Sequence, residues 1–276
     1  MHNCVRFSFL LAFILILGQK SLSASSLDLT SFVKIIHNTE TPQEISAKLK
    51  SDPTLVAPPA YNLENGHKVY GDAFRRAFEF IIMNFIQGDI AEFGTFRGFT
   101  ARKIAELIQE THFKAKLHLF DSFEGLPKIK SAVDAASYEV KDTKAWVKGG
   151  TTFSHPELIE KALTKLLKPN QLKIHVGFFE DTLQKETLDR KLCLVHIDSD
   201  LYESAFCVLS RLFEYDRIQD GTVILFDDWN CGRANPNLGE RRAFREVMEK
   251  HSDQFSFSQF FDYGWHGAAF IIHKNL

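Results

Sequence analysis

The sequence predicts an α/β protein, built on a mostly parallel sheet flanked by helices and closed by an antiparallel C-terminal hairpin. Three observations carry that expectation. Apolar runs of strand length recur at Ile90–Phe93, Leu117–Phe120, Leu172–Val176, Leu192–Ile197 and Val223–Phe226. Between most of them lie stretches with helical apolar spacing, among them Thr100–Glu110, Pro156–Leu167 and Tyr202–Phe213. After the last run the alternation stops, and Phe255–Phe261 and Gly267–His273 follow one another around a short turn at Asp262–Trp265. Strand, helix, strand in series requires crossovers and therefore parallel strands, whereas two strands joined by a tight turn pair antiparallel.

The chain begins differently. Arg6 precedes the apolar run Phe7–Leu17, and Gly18, Gln19, Lys20 and the small residues Ser21–Ser26 follow. A basic start, a short apolar core and a small-residue exit describe a secretory signal peptide over residues 1–25. The run is shorter than the ~20 residues that span a bilayer, with a signal-anchor as the alternative. The expected destination is therefore export, periplasmic or secreted, with membrane contact only through this leader. Residues 26–70 read as an irregular or helical preamble or lid, interrupted by Pro42, Pro53, Pro58 and Pro59. The main domain is expected over residues 71–276, opening with a helix at 72–87. Residues 125–155 break the rhythm, with Gly125, Pro127, Gly149 and Gly150 among charges. A loop of that length in a compact domain is usually functional, and it reads as a flap over a site.

Composition is that of an ordinary globular protein, 45% hydrophobic and 25% charged. The net charge of −2, from 33 Lys+Arg against 35 Asp+Glu, offers no basic surface for nucleic acid. The 26 phenylalanines read as core filling. Cys4, Cys193, Cys207 and Cys231 form no C-x-x-C pair, so they read as small apolar residues rather than a zinc knuckle or a disulfide framework.

Four constellations carry chemistry. The first is the turn Glu92-Phe93-Gly94-Thr95-Phe96-Arg97-Gly98 between a strand and a helix. Gly94 and Gly98 let the backbone approach a ligand, and such a turn faces the pocket of a doubly wound sheet. Its spacing is not the dinucleotide G-x-G-x-x-G, which speaks against a nucleotide-dependent dehydrogenase. The second is Asp121, at the tip of the next strand and followed by Ser122; a carboxylate there suits the hydroxyls of a ribose. The third is Phe178-Phe179-Glu180-Asp181, whose ring and acids suit an adenine. Asp181 or Thr182 equally suits a helix N-cap. The fourth joins His196-Ile197-Asp198-Ser199-Asp200 to Phe226-Asp227-Asp228-Trp229. Parallel strand ends meet at one rim, so Asp198 or Asp200 can approach Asp227 and Asp228. Such carboxylates repel unless a cation neutralises them, and oxygen-only ligands select Mg²⁺ or Ca²⁺.

Taken in order, IAEFGTFRG, FDSFEGLP, GFFEDTL, HIDSDLYES and ILFDDWN resemble the macrocin O-methyltransferase family, over about Tyr70 to Lys274. GERRAFREV at Gly239–Val247 is similar to that family's next helix. The resemblance implies a Rossmann-like, seven-stranded methyltransferase core binding S-adenosylmethionine (SAM), with Mg²⁺ assisting O-methylation of a small molecule, sugar or phenol-like. It implies that Glu92 and Gly94 line the methionine end of the cofactor, Asp121 binds its ribose, and Glu180 and Asp181 lie near its adenine. Thr95 and Gly98 in the turn, and Ser122, join the cofactor-binding positions. Asp198, Asp227 and Asp228 become the metal ligands, Asp198 preferred over Asp200 because it comes first after the strand. Asp198 or His266 would take the acceptor's proton. The leader and the cofactor point to different compartments, because SAM is made in the cytosol. The competing reading is an exported binding protein that keeps this fold without catalysis. A homo-oligomer is compatible with either.

Overall fold

The structure, a computed structural model, describes residues 63–150 and 154–275, with side chains from Lys68 onward. The expected leader and most of the expected preamble lie outside the described residues. Among the described residues no helix is long and apolar enough to cross a membrane.

A seven-stranded sheet organises the domain. Its strands are β1 (Asp89–Phe93), β2 (Leu117–Asp121), β3 (Leu172–Val176), β4 (Leu192–Ile197), β5 (Val223–Phe226), β6 (Phe255–Tyr263) and β7 (Gly267–Lys274), in the order β3-β2-β1-β4-β5-β7-β6. The pairs among β1 to β5 are parallel; β7 runs antiparallel to both β5 and β6. This is the expected architecture, and the strand boundaries fall within three residues of those expected. β1, β4 and β5 are buried along their whole length, which is why they read as unbroken apolar runs rather than alternating ones. β3 and β6, at the two edges, are only partly covered, and β3 has no fully buried residue.

Helices cover both faces. α1 (Leu63–Met83), α2 (Phe99–Thr111) and α5 (Pro156–Leu163) pack one core, in which Phe74, Phe78, Ile104, Leu117 and Leu119 are fully buried. α7 (Tyr202–Glu214) and α8 (Gly239–Lys250) pack the other, around Phe93, Phe120, Phe226 and Phe244. The phenylalanine-rich composition is spent here: Phe226, Phe244, Phe270 and Trp229 form one contiguous aromatic cluster with centroids 4.5–5.9 Å apart.

Two elements depart from expectation. α1 starts at Leu63, inside the stretch read as preamble, and stops at Met83 rather than continuing to residue 87. Its early turns contain Asn65, Gly66 and Gly71, poor helix formers, and tertiary packing of Tyr70 and Phe74 overrides that local preference. The segment expected as an open flap carries two one-turn helices, α3 (Ala132–Ala135) and α4 (Tyr138–Lys141), each capped by a serine, Ser131 or Ser137. The flap is also tied down. Buried Asp134 accepts hydrogen bonds from the backbone N–H groups of Tyr202 (2.6 Å) and Glu203 (3.2 Å). It thereby caps the first turn of α7, which has no side-chain cap of its own. Glu139 accepts from Gly232 N–H at 2.8 Å.

Candidate active site

The sheet itself sets the rim. Its ladder runs one step past the strands: Gly94 N–H donates to Phe120 O (2.9 Å), Gly177 N–H to Asp121 O (2.9 Å), Asp198 N–H to Phe93 O (2.8 Å) and Asp227 N–H to Ile197 O (2.9 Å). The residues following β1, β3, β4 and β5 are therefore pinned side by side where the strand order reverses, the place where such sheets bind ligands. Gly94 is obligatory there. Its φ is +88°, and a Cβ would lie 1.7 Å from the carbonyl oxygen of Asp198.

Asp121 organises the loops above that step. One carboxylate oxygen accepts from the N–H groups of Thr95 (2.8 Å) and Phe96 (2.9 Å), the other from Phe123 N–H (2.7 Å). Phe96 and Phe123 both have positive φ, 45° and 54°, a costly conformation for a bulky side chain. The shared carboxylate holds both. Burial raises the Asp121 pKa and those three donors oppose the rise. A cavity opens beside it, lined by Gly94, Phe96, Asp121, Ser122, Gly125, Leu126, Pro127, Phe178, Phe179, Glu180, Asp198 and Asp200.

At the inner end of the cavity acids gather. Asp198, Asp200 and Asp228 each offer an oxygen within 4.8 Å of the other two. Among the described hydrogen bonds, none reaches the carboxylate of Asp198 or Asp200. Burial and the neighbouring negative charges hold both well above the usual carboxylate range, and push Asp228 up to about 7. Buried Glu240, at the start of α8, accepts the N–H of Asp228 at 2.9 Å and adds a further negative charge. Asp200 sits at φ +62°, a strained setting for a residue inside such a group.

Asp227 faces the other way. It accepts the Tyr70 hydroxyl in both oxygens (2.9 and 3.1 Å) and lies 3.4 Å from His266 Nδ1 and 3.9 Å from His196 Nε2. His196 in turn meets Glu92 at 3.0 Å, both fully buried. Burial would lower the two histidines; the adjoining carboxylates override it and raise each to about 9. Burial would raise Asp227, but His266 and His196 hold it far below the usual range. Tyr70→Phe removes the hydroxyl that donates to Asp227. It is expected to lower turnover by about one to two orders of magnitude, with the fold retained, as measured by steady-state kinetics beside far-UV circular dichroism.

The expected residues thus fall into two sets. Gly94, Asp121, Ser122, Glu180 and Asp198 line the cavity. Glu92, Thr95, Gly98, Asp181, Asp227, Asp228 and His266 are not in its lining. Thr95 contributes its backbone N–H to Asp121, and Gly98 caps α2 at φ +76°. Asp181 is exposed on the one-turn helix α6 (Phe179–Thr182), and Glu92 lies beneath the rim, paired with His196. His266, 5% exposed and bonded through Nδ1 to the Asp227 carbonyl at 2.8 Å, packs between Tyr70 and Tyr263. The acids that lie within 4.8 Å of one another are Asp198, Asp200 and Asp228, and Asp227, expected as the third ligand, adjoins them. Tyr70, Glu139 and Glu240 escaped that reading. Only Glu240 had a visible signal, the acidic second position of GERRAFREV.

A family described as macrocin O-methyltransferase (TylF) matches residues 26–254. The chain belongs to this macrocin O-methyltransferase family. A curated member, demethyldecarbamoylnovobiocin O-methyltransferase of Streptomyces niveus, is 24% identical over 192 residues, covering 67% of this chain and 71% of the relative. The solved O-methyltransferase NovP shares the fold with a TM-score of 0.58 and 22% identity, over 73% of this chain and 78% of its own. The calicheamicin methyltransferase CalS11 does so with a TM-score of 0.58 and 20% identity, over 91% and 99%. As a macrocin O-methyltransferase family protein, this chain is an O-methyltransferase that uses SAM.

Proposed function

We propose that the protein moves the methyl group of SAM to a hydroxyl of a small sugar or phenol-like acceptor, with a hard divalent cation, Mg²⁺, at the carboxylate group. The observation that carries the metal is the set Asp198, Asp200 and Asp228, three half-buried acids within 4.8 Å, two of which accept no hydrogen bond among the described residues. Such a set fits an oxygen-liganded cation and little else. Asp198 and Asp228 belong to it by sequence and by geometry alike; Asp227, held by Tyr70, stands beside them. Bound there, Mg²⁺ would lower the pKa of an acceptor hydroxyl. The relatives' names support the acceptor class, one acting on a novobiocin precursor and another bearing the name of calicheamicin.

The chain's own residues supply position. The bare backbone at Gly94 admits the methionine end of the cofactor, Asp121 stands where ribose hydroxyls would reach its remaining lone pairs, and Phe178 and Phe179 wall the adenine end. The sulfonium is already activated, so alignment of acceptor oxygen, methyl and sulfur is most of what the protein must contribute. Asp198, which lines the cavity, would be the base that receives the acceptor's proton. The buried position of His266 favours a role in anchoring Asp227.

Asp121→Asn replaces an acceptor of three N–H groups by one that turns an amide NH₂ toward at least one of them. It is expected to weaken S-adenosylhomocysteine binding about tenfold or more, read by titration calorimetry. The test of the reading as a whole is calorimetry with S-adenosylhomocysteine, followed by labelled-methyl transfer to a panel of sugars and phenols in Mg²⁺ or in chelator. Binding without Mg²⁺ and transfer only with it are expected. Absence of S-adenosylhomocysteine binding sinks the reading; transfer undiminished in chelator removes its metal. Binding with no transfer across the panel would leave the non-catalytic alternative.

We also propose that residues 1–25 direct export. The family match starts at residue 26, leaving the apolar run outside it. N-terminal sequencing of the mature protein, secreted from its own cells, tests this; an intact Met1 on cytosolic protein overturns it.

A further inference from the structure

The strand starts, at the far rim of the sheet from the cavity, hold a second convergence of ligating side chains. Asp89 opens β1, His118 is the second residue of β2, and Asp189 stands in the loop leading into β4. One ligating atom from each lies within 4.8 Å of the other two. Asp89 and His118 are each 1% exposed. One polar atom of each, Asp89 Oδ2 and His118 Nε2, has no hydrogen-bond partner. These two atoms face each other at 3.7 Å, too far for a hydrogen bond. Ligand atoms sharing one tetrahedral ion at 2.0–2.1 Å stand roughly 3.3 Å apart, so only a small adjustment separates them from that geometry.

The remaining atoms are engaged in ways that hold these two in place. Asp89 Oδ1 accepts from Lys116 N–H (2.9 Å) and from Arg190 (2.7 Å). His118 Nδ1 lies 3.2 Å from His175 Nε2, and the His175 ring is stacked on Phe120 with centroids 4.1 Å apart. In the tautomer in which His118 Nδ1 donates to His175, the Nε2 lone pair faces Asp89 Oδ2. Two buried acceptors then face each other, an arrangement that a cation resolves. Orientation of a ligating imidazole through its other nitrogen is the usual companion of such sites.

We propose that Asp89, His118 and Asp189 form a second metal site, taking a borderline divalent ion of the Zn²⁺ type. The mixed nitrogen and oxygen donors select that class over Mg²⁺. Asp189 is 65% exposed and supplies the entry path and an open position. The Lys116 ammonium, 3.2 Å from Asp189 Oδ2 and 40% exposed, is the group an ion displaces. This site shares no residue with the carboxylate group at the cavity and does not rest on the function proposed for it.

Equilibrium dialysis of the full chain against Zn²⁺ in excess Mg²⁺ tests the assignment, with Tm followed in parallel. One Zn²⁺ per chain is expected to be retained, with a rise in Tm. His118→Ala is expected to weaken retention by about tenfold or more. Asp189→Ala does the same and, changing only an exposed side chain, serves if His118→Ala fails to fold. Lys116→Ala tightens binding by removing the competing charge, and Asp228→Asn leaves it unchanged. No retained zinc, leaving only a buried His118–Asp89 ion pair, overturns the proposal. So does retention untouched in Asp189→Ala, or lost in Asp228→Asn.

Discussion

Asp228→Asn is expected to abolish Mg²⁺-dependent methyl transfer, by about three orders of magnitude, and at the same time to raise Tm in chelator. The two effects have one origin. Asp198, Asp200 and Asp228 lie within 4.8 Å of one another, and Glu240 and Glu139 add their fields. In the absence of a cation the folded state carries their mutual repulsion, so neutralising one member relieves it. Each kcal/mol so gained appears as about 2–4 °C in a chain of this size. The loss of turnover follows from removing a charged ligand from a centre whose polarising effect is worth several kcal/mol in the transition state. Steady-state kinetics and thermal melts on the same preparation measure both. A variant as active in chelator as the parent would discard the metal. Melts unchanged in either buffer would show that the acids do not strain the fold. Asp200→Asn and Asp227→Asn, compared in the same way, identify the third carboxylate: the one that loses Mg²⁺ affinity more is the ligand.

Gly94→Ala is expected to be the most damaging single substitution on the rim. The new methyl would sit 1.7 Å from the Asp198 carbonyl oxygen, where backbone rather than a pliable side chain must yield, and φ is +88°. Left-handed strain of about 1 kcal/mol adds to overpacking of 1–3 kcal/mol, for a total of roughly 2–4 kcal/mol. Part of the chain should still fold, with Asp198 displaced and S-adenosylhomocysteine binding lost. Urea unfolding with calorimetry distinguishes this from simple instability. A variant that binds S-adenosylhomocysteine normally would mean that the cofactor does not approach this turn. Gly98→Ala gives the contrast. Its Cβ would meet only the Ile159 side chain at 3.1 Å, so its effect should be smaller and confined to α2.

The sheet was legible because its chemistry is local. β1, β4 and β5 are buried on both sides and so appear as unbroken apolar runs, and the hairpin declares itself by losing the helix between its strands. Gly94, Asp121 and Asp198 could be found because each is the first polar or glycine residue at a strand tip. What stayed hidden depends on distant pairing. Tyr70 reaches Asp227 across 157 positions, from the last residue of the stretch that reads as preamble. The direction in which a rim carboxylate turns is likewise set by its neighbours. Asp227 follows its strand as Asp198 does, yet a tyrosine and two histidines draw it aside while Asp200 takes the inward place. Asp134, capping a helix 68 positions away, looks like any loop acid in the sequence.

The hydrogen bonds that continue the ladder past β1, β3, β4 and β5 have a consequence for how such an enzyme can diversify. They fix the backbone at Gly94, Gly177, Asp198 and Asp227 through main-chain atoms, whatever side chains the connecting segments carry. Residues 126–150, by contrast, are tied to the start of α7 and to the loop after β5 by side chains such as Asp134 and Glu139. That cover can be rewritten, lengthened or exchanged for another without shifting the reacting groups. The backbone frame of the rim and the cover above it are thereby inherited on separate stretches of chain.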